Sequence, residues 1–498
     1  MSAPRDADLA GELAAELADD AAARERLRTS LDESLIVEAA AGTGKTTVLV
    51  DRLVAVLGAG VARVERVVAV TFTRKAAGEL KLRLRQQLDR ARSEAEPDSP
   101  QHRNLTDAIA RLEEAHIGTI HSFCAELLRR RPVEAKVDPA FVELAQEEAD
   151  QLYARAFRGW IQDRLGEMPP GLARALRRLA IQRSFDGTSP VDRLRMAGRE
   201  LVDWRDFDAP WRLDDDFDRD AAVNALVERL EQLETYRRRG TPRDPLFVEL
   251  EPIHLLVDAT RRTEQDAPER DFEELEARLL ELARELRRQR PRRGGGAEFA
   301  PGLPRRDVQE ARTGLIAELE DFERRANADL AARLRLELVQ VLDAYEALKR
   351  ASGQVDFLDL LLRCRDLLVD SAEARRDFQD AFSHLFVDEF QDTDPLQAEI
   401  LVLLSADDPD ATDWRRVRPR PGSLLRVGDP ADFAEVDSLT EFNVSRTWIG
   451  GELVADGGIC AVSTDRSSTR SSVRSVSRSC ATTTAYKRSK LCHGRRSQ

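Results

Sequence analysis

Cysteine is scarce in this 498-residue chain: five residues, at no spacing that would build a metal site or a framework of bridges. That leaves free thiols and excludes a small disulfide-stapled scaffold. Long apolar runs are missing as well. No eighteen consecutive apolar residues occur, so no membrane span and no membrane partner are expected. Residues 1–20 carry Arg5 but also Asp6, Asp8, Glu12, Glu16, Asp19 and Asp20, without the apolar stretch of a secretory leader, and the expected compartment is the cytoplasm. Positive charge is in deficit too. Against 91 Asp and Glu stand 77 Lys and Arg, a formal net charge of -14, which argues against non-specific coating of nucleic acid but leaves room for a local basic groove. What is present, 42% hydrophobic and 34% charged residues, fits a helix-rich protein of two to four domains with a sizeable core. It excludes a wholly disordered or collagen-like chain.

The pattern along the chain is that of an α/β protein with a parallel sheet, interrupted by a helical insertion. Over 1–145, short apolar strands alternate with helical patterns. Leu35–Val37, Val67–Val70 and Ile117–Ile120 are the strand candidates. A helix over Thr46–Leu57 is closed by Gly58 and Gly60. Another carries Ala76, Leu80 and Leu84 at spacing four, and a third runs from Ser122 to Arg130 before Pro132. Such alternation predicts right-handed crossovers between parallel strands. Residues 146–354 are long, charged and helical in period, with breaks at Met168–Gly171, Asp208–Pro210 and Pro291–Gly296. Their arginine runs, such as Arg237-Arg238-Arg239, read as solvated helix faces. The α/β pattern returns over 355–430, with strands at Leu385–Val387 and Leu424–Gly428. From 431 to 498 the text is rich in Ser, Thr and Arg and is expected to be disordered or out of frame.

Chemistry concentrates in four strings. Ala39-Ala40-Ala41-Gly42-Thr43-Gly44-Lys45-Thr46-Thr47 lies between a strand and a helix, as a phosphate loop does. Small residues let the backbone curl so that its N–H groups and the helix N-terminus face an anion. Lys45 would reach the β and γ phosphates of ATP, and Thr46 would ligate Mg²⁺. Val387-Asp388-Glu389-Phe390-Gln391-Asp392 follows an apolar strand. Asp388 fits the second Mg²⁺ ligand and Glu389 the general base that polarises water. Thr71-Phe72-Thr73-Arg74 and Thr119-Ile120-His121-Ser122-Phe123-Cys124 each follow a strand and combine hydroxyls, a ring and a cation or imidazole. That mix suits single-stranded nucleic acid, with rings on bases and hydroxyls and cations on phosphates. Taken singly, each string also suits a helix cap with a core phenylalanine, His121 a structural histidine and Cys124 a core thiol.

Together the strings resemble superfamily 1 helicases of the UvrD/Rep type. The phosphate loop, Thr71–Arg83, Thr119–Cys124, Val355-Asp356-Phe357-Leu358-Asp359-Leu360-Leu361 and Val387–Leu401 follow that family's motif order. Val37–Thr46, and Thr119–Cys124 followed by Asp138-Pro139-Ala140-Phe141, look most like AddA/RecB-type helicase-nuclease proteins. The resemblance implies a RecA-like motor domain, 1A, over 1–145 and 355–430, and a helical domain, 1B, over 146–354. It implies 3′-to-5′ movement on single-stranded or tailed duplex DNA, partnership with a second helicase-nuclease subunit, and a role for Gln391 in coupling nucleotide to DNA. An unrelated phosphate-loop enzyme such as a small-molecule kinase is disfavoured by Thr71–Arg83 and the Asp388 string. Two departures stand out. The family's adenine-sensing Gln has no counterpart near Asp20–Arg24. After Arg426-Val427-Gly428-Asp429-Pro430 the chain reads Ala431-Asp432-Phe433-Ala434 where the family continues with a Lys-Gln-Ser-Ile-Tyr-like string. The change reads as a shifted frame or truncated gene, and the alternative expectation is a half-motor that binds ATP and single strands without unwinding.

Overall fold

The computed structural model describes residues 21–38, 44–181, 187–207, 213–266, 269–289 and 296–428, together with short strands between 433 and 475. The chain divides into two compact units, residues 1–143 with 355–498, and residues 144–354.

The first unit is built on five parallel strands: β1 (Leu35–Glu38), β2 (Val67–Thr71), β3 (His116–Thr119), β4 (His384–Val387) and β5 (Leu424–Gly428). Their spatial order is β1-β5-β4-β2-β3, so the two late strands fill the space between β1 and β2. Because strand side chains alternate, β2, β4 and β5 feed two cores, while β1 feeds one. Val68, Val70, Leu385, Val387 and Leu424 join one cluster with Phe123, Leu127, Leu360 and Ile400. Leu35, Val37, Val67, Ala69, Phe386, Leu425 and Val427 join the other with Leu49, Leu53, Leu80 and Leu84. Burial on both faces explains why these strands read as continuous apolar runs rather than as alternating ones. Three helices leave the carboxyl ends of β1, β2 and β3: α1 (Lys45–Gly58), α2 (Arg74–Glu94) and α3 (Ile120–Arg130). The expected third strand ends one residue early, and Ile120 opens α3 because Thr119 caps it, accepting from the Ser122 N–H at 3.2 Å.

The second unit is helical and is threaded by one 47-residue helix, Arg305–Ala351. Residues such as Leu315, Leu319 and Phe322 pack in one core, and Leu330, Leu338 and Val341 in another. Where the two cores meet, charge is buried. The fully buried Glu276 carboxylate accepts from the Arg174 Nε at 3.1 Å and the Arg178 Nε at 2.6 Å, and Arg174 also pairs with Asp329. The arginine run at 237–239 departs from a solvated face: Arg237 is buried, with its guanidinium 4.0 Å from the centroid of the Phe247 ring and paired with Glu251. Its long aliphatic stem makes that burial feasible.

Within residues 431–498 the described residues are short strands. Phe433–Val436, Val444–Ile449, Glu452–Asp456 and Ile459–Cys460 form an antiparallel four-stranded sheet, and Arg474–Ser475 pairs antiparallel with Leu35–Ile36. The β-branched and aromatic residues of Val444–Ile449 favour strand, and the sequence supplies Gly450-Gly451 and Gly457-Gly458 between the later strands. Other tail residues, and the expected breaks at 208–210 and 291–295, lie outside the described residues. Among the described residues, no helix is long and apolar enough to cross a membrane.

Candidate functional site

The carboxyl edge of the sheet gathers the predicted residues. Gly44 stands at the N-terminus of α1 with φ +88°, a left-handed conformation that side chains rarely adopt. No side chain caps this end, and the first helical hydrogen bond runs from the Val48 N–H to the Gly44 carbonyl at 3.0 Å. The turn ahead of Val48 therefore points its backbone N–H groups out of the helix end, where the helix dipole is positive. Lys45, Thr46 and Thr47 form that turn. Ala39, Ala40, Ala41, Gly42 and Thr43 lie outside the described residues.

Two strands away, the fully buried β4 delivers Asp388 and Glu389 to the same edge. Asp388 is held by its own N–H, which donates to the Val70 carbonyl at 3.0 Å, and its carboxylate accepts from the Glu389 N–H at 3.0 Å. Burial, reinforced by the neighbouring Glu389 carboxylate, pushes the Asp388 carboxyl above its ordinary range, while Lys45 and Arg83 pull it back. Glu389 lies 3.9 Å from the Lys45 Nζ and accepts from the Gln391 side-chain amide. Lys45, far away in sequence, thus joins Asp388, Glu389 and Gln391 in one contiguous group. No cluster of three or more His, Cys, Asp or Glu capable of holding a metal alone occurs among the described residues. One carboxylate and one hydroxyl, completed by phosphate oxygens and water, is the donor set that Mg²⁺ favours.

The nucleic-acid candidates sit on the adjoining strands. Thr71 pairs in register with Thr119, and Val70 with Val387. Buried Thr71 donates to the Thr73 carbonyl at 3.0 Å, and Thr73 caps α2 by accepting from the Ala76 N–H at 3.1 Å. Phe72, between them, is 61% exposed, and Arg74 is exposed beside it. Phe72 is therefore not the core phenylalanine of the plain cap reading. Ser122 donates to the Thr119 carbonyl at 2.7 Å, and its hydroxyl sits so close to Gly118 that a Cβ there would lie 2.6 Å from it. His121 meets the Phe357 ring edge to face, with centroids 5.5 Å apart. Burial lowers its basicity, countered by Asp394 and Glu143. Cys124 is a buried free thiol, as a core residue would be.

Three residues escaped the sequence reading as site candidates. Arg83 acts electrostatically on Asp388 from α2. Phe357 is 47% exposed at the first turn of a helix capped by Asp356 and Asp359. Arg426, buried on β5, lies 4.9 Å from the Phe390 ring centroid. An aromatic at the first helical position, between the two aspartates of a capping box, was the available signal for Phe357. An open groove of 810 Å³ in the helical unit, lined by Arg155, Phe157, Arg158 and Arg195 among others, contains none of the predicted residues.

A parallel sheet covered by helices on both faces, with a glycine-capped helix end and strand-end carboxylates along one edge, defines the phosphate-loop class of α/β proteins. Residues 20–431 match the family model of the UvrD/REP helicase N-terminal domain, and the chain belongs to that family. It is 24% identical over 417 residues to an ATP-dependent helicase/nuclease subunit of Lactococcus lactis subsp. cremoris strain SK11, covering 76% of this chain and 34% of that protein. It is 27% identical over 455 residues to the protein of the same name from Enterococcus faecalis strain ATCC 700802 / V583, covering 80% and 33%. The exonuclease/helicase protein RexA of L. lactis subsp. cremoris strain MG1363 is 24% identical over 417 residues, covering 76% and 34%. The chain thus spans about a third of the length of the curated relatives it matches.

Proposed function

We propose that this chain provides the ATP-binding lobe of a 3′-to-5′ DNA helicase that works with a second subunit in a helicase-nuclease of DNA repair or recombination. Residues 1–145 and 355–430 serve as motor domain 1A, and 146–354 as the inserted domain 1B. The observation that carries the reading is the single sheet edge on which Lys45, Asp388 and Glu389 adjoin Thr71, Phe72, Thr119 and His121. A phosphate chain at the α1 terminus would be held by backbone N–H groups and Lys45, with Arg83 as a second nearby cation. The Thr46 hydroxyl and the Asp388 carboxylate would hold Mg²⁺, which when bound neutralises charge developing on the phosphates. Glu389 orients and deprotonates the attacking water, and Gln391 positions Glu389. Phe72, Thr73, Arg74, Thr119, His121 and Ser122 line the path of a single strand, rings against bases and hydroxyls toward phosphates.

Lys45→Ala tests the nucleotide half of this reading. It removes the side-chain cation at the helix end and should weaken Mg·ATP binding at least tenfold by calorimetry. Equal affinities in both proteins would sink the assignment. Strand separation on a 3′-tailed duplex distinguishes full helicase action from binding alone.

A further inference from the structure

Lys45 and Glu389 have different tasks in the proposed reaction, one holding phosphate and the other activating water. Here they hold each other. The Lys45 Nζ lies 3.9 Å from Glu389 Oε2, with the lysine side chain 10% exposed and that of the glutamate 40%. The same Oε2 accepts a hydrogen bond from the Gln391 amide. The backbone of Glu389 is left-handed, φ 52°, a region that costs a non-glycine residue energy and persists where the surroundings impose it. Backbone strain, an amide donor and a largely buried ammonium therefore converge on one carboxylate. An ammonium so far removed from water interacts strongly with whichever anion is beside it. A phosphate oxygen entering at Lys45 meets an anion already in place.

We infer that Glu389, steadied by Gln391, is a built-in competitor for the phosphate pocket. In the nucleotide-free chain its carboxylate occupies the position at Lys45 that a nucleotide phosphate takes over. Arrival of the phosphate and release of the general base are then one exchange: until a phosphate displaces it, the base is held at Lys45. This rests on the nucleotide-binding reading of Lys45. It adds that occupancy of the site regulates the availability of its own base.

The test is calorimetric titration of the full chain with Mg·ADP, which lacks the γ-phosphate and so feels little direct repulsion from Glu389. Wild type is compared with Glu389→Asp, Glu389→Gln, Gln391→Ala and Lys45→Ala. Glu389→Asp keeps the charge but is one methylene shorter, so the contact with Lys45 is lost. Both Glu389 variants should bind ADP about three- to tenfold tighter than wild type, and Gln391→Ala should move the same way by less. Tighter binding in Glu389→Gln alone would mean that simple removal of negative charge is responsible and would overturn the exchange. Unchanged or weaker binding in both would overturn it equally. If wild type and Lys45→Ala bind ADP alike, the nucleotide reading itself fails, a result recognisable apart from the others. Glu389 is partly exposed and outside both cores, and circular dichroism spectra of the variants should match wild type.

Discussion

Phe72 keeps most of its ring in water, on a turn whose two threonines are fully engaged in fixing the backbone. An exposed ring presented by a rigid turn is built for contact rather than for folding. Phe72→Ala should therefore leave the melting temperature nearly unchanged, since exposed sites seldom contribute more than about 0.5 kcal/mol. It should weaken single-strand binding by about 1–3 kcal/mol, the usual worth of one base–ring stack, read by fluorescence anisotropy. His384 is the opposite kind of residue. Burial in β4, with Arg52, Arg66 and Arg420 adding to it, lowers its pKa from 6.5 to about 4. Below pH 6.5 the unfolded chain takes up a proton that the folded chain refuses until about pH 4. Stability is thus complete above pH 6.5 and declines as pH falls through that window, by an amount on the order of 3 kcal/mol. Urea midpoints at pH 7, 5.5 and 4.5 should drop for wild type, and His384→Gln should lose part of that drop. Equal slopes would exclude His384 as the cause.

The elements legible in the sequence are those whose burial matches their hydrophobicity. Val67–Val70, Leu385–Val387 and Leu424–Gly428 are apolar on both faces because helices cover both faces, and α1 ends where Gly58 and Gly60 said it would. The candidate site was legible because its residues sit at strand ends, where loop chemistry is exposed to ligands and short motifs carry the meaning. What escaped was charge in the interior. Arg174, Arg178, Glu276 and Asp329 have the spacing of solvated helix faces, and nothing local reveals that three helices bring them together out of water. Arg426 escaped for the same reason, as one cation within an apolar strand. The ion cluster yields a prediction for its helices. Glu276→Gln leaves two buried guanidinium groups short of a counter-charge and should cost the helical unit about 3–5 kcal/mol by chemical denaturation. A loss below about 1 kcal/mol would mean that the cluster is hydrated or dispensable. The first unit, with separate cores, should retain its hydrogen-exchange protection in that variant.

The molecule as a whole is assembled out of sequence order. The Ser34 hydroxyl, at the start of β1, accepts from the Leu424 N–H 390 residues away. Strands β5 and β4 must both arrive before β1 and β2 have neighbours on their facing sides. Residues 144–354, by contrast, are continuous and carry their own cores. During synthesis at about 5–20 residues per second, those 390 residues take roughly 20–80 s to emerge. For that interval β1 has no partner on its facing side, while the helical unit can already close. An incomplete sheet of this kind exposes apolar edges to other chains. The long detour between the first and last strands therefore predicts slow folding of the first unit, whose strand pairings are distant in sequence, with its apolar strands exposed for longer than the cores of the helical unit.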